Sequence, residues 1–246
     1  MDKWTRIRHP NIVGIREAFT TRAFGDSSLV FVQDFHPLTS TLYDLHFTPL
    51  PSLPPNPWLP SSHPFAQHTP GHPRFRQHGA IPTGVPERTL WAYIVQLAAA
   101  VRTIHNRGMA VRSLEAGRVL VTGKNRIRLA GHAVNDVLMG FDQGAVLSYQ
   151  VCLCILKGAG PLRLNQLLQQ EDLLSLGKLL CALSTGSLAS MHNLQASVDH
   201  ITRTYSADLK NVVLYLLQKP NARKTIEEVG LMIANRTTEV MEEALW

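Results

Sequence analysis

A proline-dense segment divides this chain into two unequal parts and limits what each part can fold into. Eleven of the 15 prolines lie between residues 47 and 86. Proline removes a backbone donor and fixes φ, so such a segment cannot form a helix interior or a central strand. We therefore expect an extended inserted loop over residues 46–86, with the regular structure on either side of it.

Neither the histidines nor the cysteines of the chain have the spacing of a metal site. Four histidines lie between residues 47 and 86, at His63, His68, His72 and His78. Their spacings in a proline-rich loop supply no rigid ligand geometry, so solvated histidines are the simpler interpretation. There are three cysteines, at Cys152, Cys154 and Cys181. They lack the paired spacings of a zinc site and indicate free buried thiols.

The composition is that of a globular chain. Hydrophobic residues make up 45% and charged residues 17%, which is enough to bury a core and excludes a wholly disordered chain. No apolar run approaches the roughly 20 residues that a membrane span needs. Charges at the first residues replace the apolar stretch of a secretory signal, so we expect a cytoplasmic protein. The net charge of +6 supports only a weak hypothesis of nucleic-acid binding.

The runs of apolar residues predict a mixed α and β chain. Residues 12–19 and 28–35 are rich in β-branched and aromatic side chains and predict two antiparallel strands. Behind Pro86, apolar residues recur at spacings of 3 and 4 and predict a long helix that stops at Gly108. Residues 118–121 and 125–129 predict a hairpin with glycine at its turn. Helical periodicity returns at residues 173–183 and 209–217, and residues 225–244 predict a last helix.

This order of elements, with three motifs, resembles a protein kinase from its fourth strand onward. Residues 8–13 (RHPNIV) resemble the segment that leads from kinase helix C into the fourth strand. Residues 172–177 (DLLSLG) resemble the start of kinase helix F, in which Asp172 would be the buried acid that accepts amides of the catalytic loop. Residues 216–225 resemble the segment around the arginine of helix I. The resemblance implies an α+β, kinase-like fold with a partial N-lobe sheet and a mainly helical C-lobe.

The residues that phosphoryl transfer requires are missing from this kinase-like chain. The reaction needs an acid that positions the hydroxyl group and further oxygen ligands for magnesium. At the catalytic-loop motif the chain reads VRSLEAGR over residues 111–118, so Ser113 replaces the aspartate and Arg118 the asparagine. Around the expected metal-binding DFG motif, residues 130–133 read AGHA. The sequence therefore predicts a pseudokinase with no catalytic residues and no metal site.

Among kinase-like proteins, the chain resembles the regulatory pseudokinase subunit of the poly(A)-nuclease deadenylation complex, truncated at both ends. Long stretches carry this resemblance, at residues 16–32, 91–97, 119–128 and 205–217. It implies a non-catalytic subunit that dimerises, holds a separate exonuclease and brings it to poly(A) mRNA with poly(A)-binding protein. The coiled coil of that family would follow residue 240, and residues 237–246 depart from it. The family also implies a location in the cytoplasm and in P-bodies.

The resemblance further implies that the pseudokinase cleft binds ATP without hydrolysis and without a metal. The segment that matches the nucleotide hinge consists of Asp34, Phe35, His36, Pro37, Leu38, Thr39, Ser40 and Thr41. Hinge backbone groups can pair with adenine, and a nearby carboxylate and hydroxyls can serve the ribose. Gly117 and Arg118 match the small-plus-basic pair of the family, and Arg118 could bind phosphate as a bidentate donor. Alternatively, the hinge segment only turns the chain into the linker, and Arg118 is solvated.

Four regions and two further functions complete the interpretation. We expect a partial N-lobe and hinge over residues 1–45, the inserted loop over 46–86, a C-lobe over 87–236 and the start of a C-terminal region over 237–246. Residues 147–160 match nothing that we recognise.

A divergent active kinase would have to recruit other carboxylates, such as Asp136 or Asp142. A basic RNA-binding module would use Lys124, Arg126 and Arg128 on the hairpin, with strongly salt-dependent affinity.

Overall fold

The computed structural model describes residues 2–48, 84–138, 164–221 and 223–245. The strands are β1 (Ile15–Thr21), β2 (Ser28–Gln33), β3 (Ser40–Thr41), β4 (Val119–Gly123) and β5 (Arg126–Leu129). The helices are α1 (Asp2–Thr5), α2 (Leu42–His46), α3 (Glu87–His105), α4 (Val134–Leu138), α5 (Leu164–Thr185), α6 (Leu194–Thr204), α7 (Ala207–Leu217), α8 (Ile226–Met232) and α9 (Ala234–Leu245). Short 3-10 turns lie at Ala116–Arg118 and Leu188–Met191.

The predicted strand pair is present as an antiparallel ribbon of β1 and β2. Phe19 pairs with Val30 and Ile15 with Gln33, with an irregularity at the start of β1. The alternation is weak because most β1 side chains other than Ile15 are exposed or half-buried. The segment after β2 leaves the ribbon at Asp34 and leads through β3 into α2.

The predicted hairpin is also present, and it joins β3 in a three-stranded antiparallel sheet. Val121 faces Ile127 across the hairpin and Ser40 on the other side. Gly123, the glycine predicted at the turn, pairs with Arg126 in the ladder. Asn125 has a φ of 55° instead, and asparagine is one of the few residues that adopt this left-handed conformation readily.

The motif before β1 attaches the N-terminal segment to this sheet. Backbone hydrogen bonds run from the Val13 amide to the Leu129 carbonyl (2.9 Å) and from the Leu129 amide to the Asn11 carbonyl (2.8 Å). The Asn11 side-chain amide donates to the Ile127 carbonyl and to Gln96 on α3, at 2.9 Å each. The asparagine of the RHPNIV stretch therefore has a structural role.

Helix α3 lies at the centre of the core. It begins directly after Pro86 and ends at His105, and its predicted stripe is buried. That stripe consists of Leu90, Ile94, Leu97, Val101 and Ile104, each no more than 1% exposed. The helix contacts β5, α5, α8 and α9. Burial of a continuous apolar stripe by several elements supplies the main stabilisation of the C-lobe.

Helices α6 and α7 pack against α5. The predicted leucines of α5 are all buried. The last predicted helix is in fact two, because α8 ends at Met232 and α9 begins at Ala234. Within the described segments, no helix is both long and apolar enough to cross a bilayer.

Several predictions fall on residues that lie outside the described segments. These are most of the inserted loop with its four histidines, the stretch 147–160 with two of the cysteines, and Asp142. The third cysteine, Cys181, is a free buried thiol, and burial raises its pKa to about 11. No group of three metal-ligating side chains is found in the described parts of the chain. The boundaries of the four regions stay a prediction.

Candidate functional site

Asp172 organises the loop that follows α3. Its carboxylate is 2% exposed and accepts hydrogen bonds from the backbone amides of Val111 and Arg112, at 2.7 Å each. The imidazole Nε2 of His105 lies 2.8 Å from the same carboxylate. The prediction that Asp172 accepts catalytic-loop amides is confirmed. The sequence offered no comparable signal for His105, which is also buried at the end of α3.

The tethered loop includes a backbone conformation that few residues adopt. Arg112 has a φ of 60°, in the left-handed region that costs energy for a residue with a Cβ. Its amide is fixed by Asp172, and its carbonyl accepts the side-chain amide of Asn135 at 2.8 Å. Strained conformations persist where the surroundings hold them from several sides, as they do here.

A serine lies at the position where an active kinase has its catalytic acid. The hydroxyl of Ser113 donates toward the carbonyls of Val111 (3.3 Å) and Gly131 (3.2 Å), and the residue is 4% exposed. An aliphatic hydroxyl cannot take the proton of a substrate hydroxyl as a carboxylate does. The loop that positions the acid in a kinase is therefore retained, but its acid is lost.

A guanidinium group lies beside the position of the missing metal-binding carboxylate. Residues 130–133 stand in place of the DFG motif without a carboxylate, and Nη1 of Arg118 approaches the Gly131 carbonyl at 3.5 Å. A Cβ added at Gly131 would lie only 3.0 Å from Nη1 and 3.2 Å from Cδ of Arg118. Gly131 also has a φ of 68°. The absence of a side chain at Gly131 therefore makes room for the arginine side chain.

Arg118 is only weakly paired. Its Nε lies 3.9 Å from a carboxylate oxygen of Glu115, and its side chain is 38% exposed. A pair of this length on an exposed surface contributes little to stability. The guanidinium therefore keeps donors that can turn to an anion in the cleft.

The hinge segment begins with a residue that is already paired. The Asp34 amide donates to the Gly14 carbonyl at 2.8 Å, and its carboxylate accepts from Nε of Arg16 at 2.6 Å. Phe35 and Leu38 are largely or fully exposed, and Leu38 has a φ of 55°. The first half of the segment is thus a solvent-exposed turn that starts from a fixed strand end.

The second half of the hinge segment has local structural roles. The hydroxyl of Thr39 donates to the His36 carbonyl at 3.2 Å. Thr41 caps α2, with its hydroxyl accepting from the Asp44 amide while the Asp44 carboxylate accepts from the Thr41 amide. The hydroxyl of Thr41 is therefore used by the helix cap. The capping bonds also lower the pKa of Asp44.

The C-terminal end of the hinge segment lies next to Gly117 and Arg118, the other two residues predicted to bind ATP. Strand β3 and helix α2 contact the 3-10 turn Ala116–Arg118, which holds Gly117 and Arg118. Among the described residues, no atom outside its chain neighbours lies within 4 Å of a Cβ built on Gly117, so the turn is open on the described side. Asp34 lies on the other side of the segment, at the end of the β1–β2 ribbon.

Two of the three basic hairpin residues are exposed to solvent. Lys124 and Arg126 are exposed, whereas Arg128 is half-buried and its Nε has no hydrogen-bond partner in the described structure.

Asp136 is one of the two carboxylates that a divergent kinase would recruit as a metal ligand. Its carboxylate instead accepts hydrogen bonds from Arg112 and Trp4.

Known proteins match this chain over nearly its whole length. PAN2-PAN3 deadenylation complex subunit PAN3 of Cryptococcus neoformans is 42% identical over 239 residues, covering 96% of this chain and 30% of that protein. The human PAN3 is 40% identical over 238 residues and is covered for 24% of its length. The chain thus spans about a quarter to a third of these relatives. No protein-family model matches it.

Solved structures match the fold. The PAN3 pseudokinase of Drosophila melanogaster superposes with a TM-score of 0.75 at 32% identity, over 99% of this chain and 53% of that one. The PAN3 pseudokinase and C-terminal region in a complex with PAN2 (WD40-CS1) of Neurospora crassa gives a TM-score of 0.72 at 32% identity, over 99% and 50%. The predicted α+β kinase-like fold is confirmed.

Proposed function

We propose that this chain, which carries a PAN3-type pseudokinase region, acts as a non-catalytic, ATP-binding scaffold in a deadenylation complex. One observation carries the non-catalytic part. The kinase loop is still held in place by Asp172, while Ser113 replaces the catalytic acid and residues 130–133 carry no metal-binding carboxylate. Phosphoryl transfer depends on positioning and on metal-bound charge, so loss of these groups removes the chemistry and leaves the binding surface.

The nucleotide would lie between the hinge segment and the turn that holds Arg118. Adenine edges pair with hinge backbone groups, and Phe35, Pro37 and Leu38 of this turn are exposed, while the His36 carbonyl accepts from Thr39. The guanidinium of Arg118 supplies positive charge near the place where a kinase holds magnesium. A planar guanidinium binds phosphate oxygens in pairs, which makes metal-independent ATP binding physically reasonable.

The partners follow from the family. A PAN3 pseudokinase with its C-terminal region forms a complex with PAN2 in Neurospora crassa. We therefore propose that the longer protein holds the exonuclease PAN2, reaches poly(A) mRNA with poly(A)-binding protein, and forms a homodimer. Such a protein acts in the cytoplasm and in P-bodies. Of the two carboxylates that a divergent kinase would recruit, Asp136 is already bonded to Arg112, and Asp142 lies outside the described residues.

Thermal melts with ATP test the binding proposal. A ligand that binds only the native state raises the melting temperature, so ATP should raise it with magnesium and equally with a chelator. Arg118→Ala should weaken ATP binding about tenfold or more, which corresponds to loss of one charge-assisted contact. Arg203→Ala, an exposed arginine on α6, serves as the matched control. Binding that needs magnesium, or that is unchanged by Arg118→Ala, would contradict the proposal.

Two further measurements test the scaffold. ATP incubated with the protein should show no turnover above background, with or without magnesium. A longer form with the C-terminal region should co-purify with PAN2, and failure to do so would end the scaffold interpretation. Turnover that is lost in Asp136→Asn would instead favour the kinase alternative.

A further inference from the structure

Three side chains that are far apart in the sequence meet next to the cleft. The Trp4 indole Nε1 donates to one carboxylate oxygen of Asp136 at 3.0 Å, and Nη1 of Arg112 donates to the other at 3.0 Å. We call these three residues the Asp136 junction. It joins α1, the loop after α3, and α4.

The Asp136 junction is shielded from solvent. Trp4 is 2% exposed, and the side chains of Arg112 and Asp136 are 19% and 23% exposed. Trp4 also packs on the ring of His132, with centroids 5.3 Å apart. Partly buried charge pairs are screened less by salt than exposed ones, so this bridge differs from an ordinary surface ion pair.

The surroundings of Arg112 make Asp136 its chief partner. Asp172 binds the Arg112 backbone amide, not the guanidinium. The pKa of Glu171 is raised, chiefly by burial and then by the charge of Asp172. The positive charge of Arg112 acts in the opposite direction but is the smaller effect. Among the described residues, Asp136 is the carboxylate that forms an ion pair with Arg112.

In regulated kinases, a phosphate added to a loop pairs with arginines and orders the loop. Asp136 supplies a carboxylate to Arg112 from within the chain. Its second oxygen accepts from Trp4 of α1 at the same time, so one side chain joins the loop and the N-terminal helix.

We propose that Asp136 is a positioning residue that locks α1 onto the loop beside the cleft, without any phosphorylation. Arg112 leads directly into Ser113 and the turn with Gly117 and Arg118. The junction therefore also sets the geometry of the phosphate end of the cleft. Only this effect on nucleotide binding rests on the proposed function, because the junction itself can be measured without nucleotide.

The indole N–H of Trp4 reports on the junction directly. In the complete chain, labelled with ¹⁵N, its signal is assigned with Trp4→Phe, and its hydrogen exchange is followed by NMR. Asp136→Ala should speed this exchange about tenfold or more, because the acceptor is lost. Trp91 is an internal control, since its indole donates to Glu87 at 3.0 Å and should not change.

A second variant keeps the test decisive if Asp136→Ala does not fold. Asp136→Asn retains an oxygen for Trp4 but removes the charge that pairs with Arg112. A double-mutant cycle with Arg112→Gln should give a coupling of about fivefold or more in the unfolding equilibrium constant. Asp208→Asn, whose carboxylate is 2.8 Å from Arg236 far along the chain, is the matched control.

The outcomes separate this proposal from the proposed function. If the junction positions the cleft, Asp136→Asn weakens ATP binding several-fold and Asp208→Asn does not. If the wild-type chain binds no ATP but Trp4 exchange and the double-mutant cycle respond as expected, the nucleotide proposal fails and the lock stands. Unchanged Trp4 exchange in Asp136→Ala, or no coupling with Arg112, would overturn the lock. Phosphatase treatment that releases Trp4 would overturn its independence from phosphorylation.

Discussion

Replacement of Asp172 by alanine should destabilise the protein more than replacement of any exposed carboxylate. The change removes the acceptor of two backbone amides, one buried and one partly buried, and the partner of His105, all within 2.8 Å. Each buried donor left without an acceptor costs about 1–3 kcal/mol. Breaking a buried charged contact by removing one partner costs about 3–5 kcal/mol in total. We therefore expect a loss of about 3–5 kcal/mol in the free energy of unfolding.

Urea unfolding at pH 7, followed by circular dichroism, measures this loss. For a domain of 150–250 residues, each kcal/mol corresponds to about 2–4 °C in melting temperature, so the melt should fall by about 6–20 °C. Asp172→Asn keeps the side-chain volume but replaces one carboxylate oxygen with an NH2 group, which cannot accept from a backbone amide. This variant should therefore recover only part of the lost free energy of unfolding. Asp208→Ala, with a carboxylate that is 59% exposed, should cost no more than about 1 kcal/mol.

A local measurement separates the loop from global unfolding. The amides of Val111 and Arg112 should exchange faster with solvent in Asp172→Asn than in the wild type, under conditions in which the core amides of α3 stay protected. The reasoning would be refuted if Asp172→Ala melted within about 2 °C of the wild type. It would also fail if these two amides kept their protection.

Two further predictions concern packing and pH. Gly177→Ala should lower the free energy of unfolding in urea by about 1–3 kcal/mol, because its Cβ would lie 3.0 Å from the Leu216 side chain. Gly230→Ala should raise it by up to about 1 kcal/mol, because among the described residues its Cβ would meet nothing within 4 Å. Equal effects of the two changes would contradict the close helix approach. Burial lowers the pKa of His132 to about 4, below its unfolded value of 6.5, so the unfolded chain takes up a proton first and stability falls as pH drops from about 6.5 to about 4. His132→Phe, which keeps a ring against Trp4, should flatten this part of the melting curve against pH, and an unchanged slope would refute the assignment.

Local sequence patterns were sufficient for most of the elements. The stripe on α3 and the hairpin residues follow from side-chain periodicity, which depends only on neighbours along the chain. The turn was less well predicted, since glycine at residue 123 suggested a turn that Asn125 makes in the structure. Splitting of the last helix at Ile233 also escaped prediction, because the apolar pattern continues across it.

The sequence by itself also determined that carboxylates are missing from the kinase motifs. A serine at residue 113 and a glycine at residue 131 have no carboxylate in any conformation. The role of Asp172 could also be predicted, because residues 172–177 resemble a kinase motif that specifies both the aspartate and its helix.

Only the tertiary structure decided which charged groups meet. Trp4 and Asp136 are 132 residues apart, and no local pattern links them. The approach of Arg118 to Gly131 depends on the missing Cβ of one residue and on the path of a different segment. Side-chain chemistry is a property of each residue, so the sequence determined which carboxylates are missing. A contact depends on how the chain folds, so only the tertiary structure determined which residues hold the remaining cleft together.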